Sequence, residues 1–554
     1  MNPKKQAIGT GNKLTSSLIQ ASLLLFPVIY FLTGEYFRNL LGFLSLRHSD
    51  PDYIYFMSGL TISDGVLKVG HIDNPGTPLQ VLMAMVFRVT YYIRSVRTPY
   101  LDDVLLNPDL YLSVANSVIT CLTTFLLFFA GKKVLQFSGS VFYALVIQTS
   151  LFLPIIWYEF IGRITPELMM SFPVIMMSLL ILKVYFSHEK EFSYRYVFLF
   201  SVASAFGLSV KLTFLPVWII PLIFIPGWQK KLAFLGASLL LFFIFAFPVT
   251  FQMKNFWNWI RDLFLHSGKY GGGESDIINL AEFRQNIISL LDVEKRYFYF
   301  VAALILVLLT YLLIKRGKAE KTVSKAATGI VAAIFLQVLM TGKQFEHRYF
   351  VPCLIFMPLV IILTAEIIRK LIGWKYTIYF IHLALVGFFF WYASFNRQWL
   401  SIKTDGFSGD INRRMKTWNF ARTLGNDNVK IITSQNYGCP FIEYTLTYSH
   451  VWANYEKRVE YAPLLDRLYP DTYCYFTWDN SIKYWVKKFD AGNVAESQKK
   501  VILYLENGTT EAYDKTLGKL KEESQTPFVA DSTLLFRNPE TGEAIYQLKL
   551  QVSE

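Results

Sequence analysis

The chain has 554 residues, 53% of them hydrophobic and 17% aromatic, with a formal charge of +13. That apolar content excludes a single water-surrounded globule for most of the length. The basic excess lies in alternate short loops between apolar runs rather than in one patch, which excludes nucleic acid as its simplest partner.

Apolar windows near twenty residues, the length that crosses a hydrocarbon core, recur from about Leu18 to about Phe395 and then stop. The short loops carrying Lys4, Lys5 and Lys13; Lys132 and Lys133; Lys183, Lys190 and Arg195; Lys230 and Lys231; Lys315, Arg316, Lys318, Lys321 and Lys325; and Arg369, Lys370 and Lys375 mark one side. By the positive-inside rule that side is cytoplasmic, as is the N-terminus. The pattern predicts a polytopic α-helical membrane protein of about eleven spans: roughly 15–33, 109–130, 140–157, 166–186, 196–210, 212–227, 232–250, 297–314, 323–342, 349–368 and 376–396. The first lacks a small-residue cleavage site and reads as a retained helix. An odd count puts a tail, 397–554, on the outer side, with external segments 34–108 and 251–296 and turns at 158–165 and 343–348.

In chain order, the first external segment opens with "HSDPDYIYFMSGL". Pro51 suits the first position of a helix, which makes Asp50 an expected N-cap and sets Asp52 in the first turn. A cap carboxylate can still face a cleft. "GHIDNPGTPLQVLMAMVF" places His71 and Asp73 before two prolines and a glycine, then starts an amphipathic helix of about fifteen residues. That helix is expected at the membrane interface, with Arg88, Arg94, Tyr91 and Tyr92 near headgroups.

The turn "WYEFIGRITPEL" sets Glu159, Arg163 and Glu167 on one face if it is helical. In "GLSVKLTFLP", Lys211 falls at the outer surface, where a lysine ordinarily snorkels. Segment 251–296 contains "HSGKYGGGESD", a loop around Lys269 and Tyr270 followed by a short amphipathic helix; it is either a lid or a connector. The turn "TGKQFEHRYFVP" gathers Lys343, Glu346, His347 and Arg348, a cationic cluster suited to a phosphate at headgroup depth.

The tail alternates helix-like "DINRRMKTWNFARTLG" with strand-like "VKIITSQ", "TYCYFTW", "VILYLEN" and "STLLFRN", which predicts a small soluble α/β domain that recognises an acceptor or braces the membrane part. Cys121 and Cys353 fall in spans, while Cys439 and Cys474 of the tail are placed to pair or to stay reduced. No P-loop and no Cys/His zinc spacing occurs, and "NGT" at Asn507 is a chance match to a glycosylation acceptor.

These pieces in this order resemble the GT-C superfamily of membrane glycosyltransferases, in particular the branch of protein O-mannosyltransferases and lipid A aminoarabinose transferases. "SDPDYIYFMSGLTISDG" resembles the family's acidic first-loop motif, "HIDNPGTPLQ" the proline-bearing motif after it, "RITPELMMSF" an acidic turn, and "HRYFVP" the start of a late span; "SVKLTFLP" is a weaker match. The likeness covers roughly residues 15 to 396. Many relatives have Asp-Glu where this chain has Asp-Pro-Asp, so the base role falls to Asp50 or Asp52, with Asp50 at the leading position.

The resemblance implies an inverting transferase in a bacterial inner membrane that moves a sugar from a polyprenyl-phosphate donor to the hydroxyl of a lipid, glycan or protein acceptor. In that reading Arg348, with His347, Lys343 and Lys211, binds the donor phosphate. Asp52, His71, Asp73, Glu167 and Tyr53 position sugar or acceptor. No cofactor is required, and a divalent cation is not favoured. A polytopic transporter or lipid flippase is the alternative.

Overall fold

The computed structural model describes residues 13–42, 44–47, 50–73, 75–187, 192–315, 318–374, 376–425, 427–435 and 438–552. Lys4, Lys5, Lys190, Arg316 and Lys375 of the basic loops lie outside the described residues, as do the side chains of Lys13 and Lys269.

The structure is mainly helical. Among the described residues, seven helices are long and apolar enough to cross a membrane: Leu18–Leu41, Pro108–Ser138, Pro166–Ser187, Trp228–Phe245, Lys295–Lys315, Lys321–Lys343 and Tyr379–Thr423. An eighth crossing is formed if His347–Leu354 and Met357–Ile372, bent by 41° at a break, count as one span. Val141–Leu151, Tyr194–Val210 and Leu212–Phe224 are apolar but shorter. Thus every expected span coincides with an apolar helix, and three of those helices fall short of membrane length. Pro108 starts its helix, where its missing N–H is not needed, and Gly139 stops it at φ 67.

The last apolar helix does not end at residue 396. It runs unbroken from Thr377 to Thr423, 47 residues and on the order of 70 Å. The expected domain boundary is therefore the middle of a helix: hydropathy falls where lipid would end, while nothing in "NRQWLSIKTDGFSGDINRRM" breaks a helix strongly enough to end it.

Beyond it lies one six-stranded sheet, ordered β3-β2-β1-β4-β6-β5, from β1 (Asn428–Ser434), β2 (Thr472–Phe476), β3 (Ser481–Lys483), β4 (Lys500–Leu505), β5 (Phe528–Arg537) and β6 (Ala544–Val552). β1 runs parallel to both β2 and β4, and the other pairs are antiparallel. All four expected strands are present; β2 is buried along its whole length, as a central parallel strand should be. Cys439 and Cys474 are both buried free thiols, so the tail carries no disulfide between them. Cys439 donates to the Phe441 carbonyl at 3.3 Å and Cys474 to the Thr447 hydroxyl at 3.5 Å.

The tail docks on the segment 34–108 through the helices Ile442–His450 and Tyr455–Leu468. Lys457 pairs with Asp64, and Arg467 donates to both oxygens of Asp102 at 2.9 and 2.8 Å. Asn454 donates to the Lys68 carbonyl at 2.6 Å and caps its own helix at Lys457 N, 2.7 Å. Backbones meet as well, since a Cβ on Gly70 would lie 1.9 Å from the Trp452 carbonyl oxygen. We expect Gly70→Ala to weaken this docking by about 1–3 kcal/mol. Amide hydrogen exchange over Ile442–Leu468 should accelerate, with the membrane helices unaffected.

Candidate functional site

Two sets of polar contacts divide the helical part. At one end Glu366 accepts from Tyr143 at 2.7 Å, Tyr185 at 2.6 Å and Arg369 at 2.6 Å, and Lys370 pairs with Glu320. These are the ends that carry the basic loops. At the opposite end the segments around Asp50, His71, Arg163, Lys211 and Arg348 meet.

The helix after Pro51 starts at Asp52, and Pro51 itself occupies the N-cap position with no side-chain cap. Asp50 is therefore not the cap expected of it. Its half-buried carboxylate accepts from the Tyr448 hydroxyl of the tail at 3.1 Å. Asp52 is fully buried and committed: Arg163 donates to it at 2.8 and 3.1 Å, and the Ile164 amide also points at it. Arg163 additionally donates to the Asp50 carbonyl at 2.8 Å. Burial pushes the Asp52 carboxyl up from the ordinary range, and Arg163 and the Ile164 amide oppose that.

The expected Glu159, Arg163 and Glu167 face does not exist, because only Trp157–Phe160 and Pro166–Met169 are helical in that turn. Each residue has its own distant partner instead. Glu159 meets Lys403 at 2.9 Å, Arg163 meets Asp52, and Glu167 meets Lys211. Lys211 does not snorkel; it is buried against Glu167, with its ammonium 5.0 Å from the centre of the Tyr349 ring.

His71 is held edge-on between the rings of Tyr55 and Trp452, at 5.4 Å from each. Gln80 donates to its carbonyl at 2.8 Å, while its Nδ1 is buried without a hydrogen-bond partner. Burial lowers the His71 pKa, and the nearby Asp73 and Asp50 work against that. Gly76, at φ 64, packs so closely on Tyr55 that a Cβ would sit 2.5 Å from its hydroxyl, and its N–H donates to Val210, next to Lys211, at 3.2 Å.

Tyr55 is the shared neighbour. Burial, together with the charges of Glu167, Asp73 and Asp50, holds its phenol far above the ordinary range, and Arg348 works against them. One buried ring thus stands within electrostatic reach of three acidic groups and an arginine drawn from four separate segments. Arg348 donates to the Tyr270 hydroxyl at 2.6 Å, and its own Nε is buried without a hydrogen-bond partner. Tyr270, at φ 58, belongs to the loop between the helices Met253–Leu265 and Leu280–Val293. The first of these helices was not expected.

Three expected members lie elsewhere. Tyr53 is fully buried and donates to Asp109 at 2.9 Å. Lys343 donates to the Leu263 and Phe264 carbonyls, both at 2.7 Å, closing the C-terminal end of the helix before the loop. His347 meets Glu294 at 2.5 Å. Conversely, Tyr55, Tyr448, Trp452 and Arg163 belong to the cluster and were not singled out as site residues. Two of these had a local signal: Tyr55 lies five residues from Asp50 and three from Asp52, and Arg163 lies in the charged turn with Glu159 and Glu167. Among the described residues, no three His, Cys, Asp or Glu side chains converge to hold a metal ion. No protein-family model and no curated protein sequence matches the chain.

Two outcomes are expected. Asp52→Asn or Arg163→Met, each stranding a buried polar partner, should cost about 3–5 kcal/mol, and the double variant should recover part of that loss in detergent unfolding measurements. Because native His71 has a lowered pKa, the unfolded chain takes up its proton first as pH falls. Its contribution to stability is complete above about pH 6.5 and declines below it. Comparing unfolding midpoints from pH 8 to pH 5, His71→Asn should show a shallower acid decline than the wild type.

Proposed function

We propose that the chain is a GT-C type glycosyltransferase with eleven crossings, whose cluster faces the outer side of a bacterial inner membrane and transfers a sugar from a polyprenyl phosphate to an acceptor hydroxyl. The observation that carries this reading is the grouping around Tyr55: Asp50, not used as a cap, and Arg348, with an unpartnered Nε, act in opposite directions on one buried phenol.

In that reading the acceptor oxygen attacks the anomeric carbon as its proton passes to the Asp50 carboxylate, and the bond to the lipid phosphate oxygen breaks with inversion. Arg348 offsets the charge that develops on the leaving phosphate. Tyr448 holds Asp50 in place, and Asp52 acts only through Arg163 as a positioning residue. His71 and Asp73 remain candidates for sugar or acceptor contact. Tyr270 is the lid residue, positioned over the cation it would help to release or enclose.

A second reading, a transporter or flippase, draws on one observation: in the buried Glu167–Lys211 pair, Lys211 sits at the break between the apolar helices Tyr194–Val210 and Leu212–Phe224, as coupling sites in transporters do.

Both readings meet in one experiment. Purified protein in detergent is given polyprenyl-phosphate sugars and an acceptor mixture, and released polyprenyl phosphate is measured. Asp50→Asn should lose about 10²–10⁴ in turnover while staying folded and able to bind donor, and Arg348→Ala about 10²–10³. Turnover unchanged in Asp50→Asn removes the proposed base. Movement of the intact lipid across vesicles without sugar transfer selects the second reading.

A further inference from the structure

A cavity of about 610 Å³ opens where the first external segment meets the tail, within the size range of small-molecule sites. We infer that it binds a saccharide, a stretch of acceptor chain several sugar units long; the word acceptor rests on the transferase reading, whereas the binding does not.

The chemistry of the wall carries the inference. Trp418 and Tyr469 supply broad aromatic surfaces, which suit the C–H faces of sugar rings. The same wall carries Asn107, Asp109, Glu443 and Arg422, planar groups that accept from or donate to hydroxyls at a ring's rim. A polyol is apolar on its faces and hydrogen-bonding at its edge, and this wall offers both kinds of surface.

The charges of the wall are largely engaged inside the protein. Glu443 is paired with Lys430 at 2.5 Å, Asp109 accepts from Ser45 and Tyr53, both at 2.9 Å, and Arg422 lies 4.5 Å over the Trp418 ring. What remains is a set of oriented dipoles, better suited to a hydroxylated chain than to a strongly anionic one. The contrast within the molecule is sharp. A second cavity of about 600 Å³, bordered by Leu25, Phe142, Phe389 and Phe390 on the membrane helices, is apolar and fits hydrocarbon.

Position links the cavity to Asp50. The helix Ile442–His450 contributes Ile442 and Glu443 to the wall, and five residues later Tyr448 holds the Asp50 carboxylate. That separation is on the order of 8 Å along the helix. Tyr53, one residue beyond Asp52, reaches the wall through Asp109.

The test uses the full-length protein in a detergent without a sugar headgroup. Saturation-transfer NMR is recorded with tetrasaccharides of glucose, of mannose and of N-acetylglucosamine. At least one should receive saturation from the wild type, and its binding should weaken about tenfold in Trp418→Ala while Trp418→Phe retains most of it, both variants unfolding at the wild-type temperature. Failure of all three to bind the wild type, or wild-type binding by folded Trp418→Ala, overturns the inference and leaves the transferase reading standing. A tetrasaccharide that binds through Trp418 with no sugar transfer from any donor does the reverse.

Discussion

The contact on which the Asp50 end of the helical part depends is the buried pairing of Asp52 with Arg163. Two residues 111 positions apart are joined with almost no water to screen them, and Arg163 also reaches the carbonyl of Asp50. A buried ion pair adds little net stability over an apolar substitute, yet breaking one partner is costly. Its effect here is geometric. It fixes the start of the Asp52–Ser63 helix against the turn before Pro166, and in doing so holds the Asp50 backbone while leaving its side chain to Tyr448.

The second constraint is the tail. Its contacts with the first external segment are mostly polar, with Lys457 on Asp64, Arg467 on Asp102 and Asn454 on the Lys68 backbone, the kind of surface that domains within one chain usually share. Through Gly70 and Trp452 the same docking presses on His71. The tail therefore both braces the segment and furnishes part of the cluster: Tyr448 and Trp452 come from the helix Ile442–His450 and the turn after it, and Asn454, Lys457 and Arg467 from the start and length of the next helix.

Much of this was legible in the residues. Apolar length located the apolar helices, though not which of them are long enough to cross a membrane, and strand-like stretches located four of the six strands. Asp50, His71, Asp73, Glu167, Lys211 and Arg348 were found because charge beside an apolar run is costly and so stands out. Partnership was not legible. Lys211 beside lipid reads as a snorkelling side chain until the fold brings Glu167 to it, and Lys343 and His347 look like part of a phosphate clamp until their own neighbours claim them. Tyr448 and Trp452 lie about 400 residues from the aspartates in a stretch with no local peculiarity. The end of the last long helix was missed for a different reason: hydropathy records the solvent along a helix and is blind to where its backbone hydrogen bonds cease.

That helix has a mechanical corollary. Phe389, Phe390 and Tyr392 on it border the greasy groove, while Trp418 and Arg422, some seven turns farther on, border the hydroxyl-lined chamber. A single stiff strut thus touches both compartments. Any tilt or rotation imposed at its apolar half by an arriving hydrocarbon tail must reappear at the far half as a displaced indole, so the two compartments need no separate messenger to sense each other.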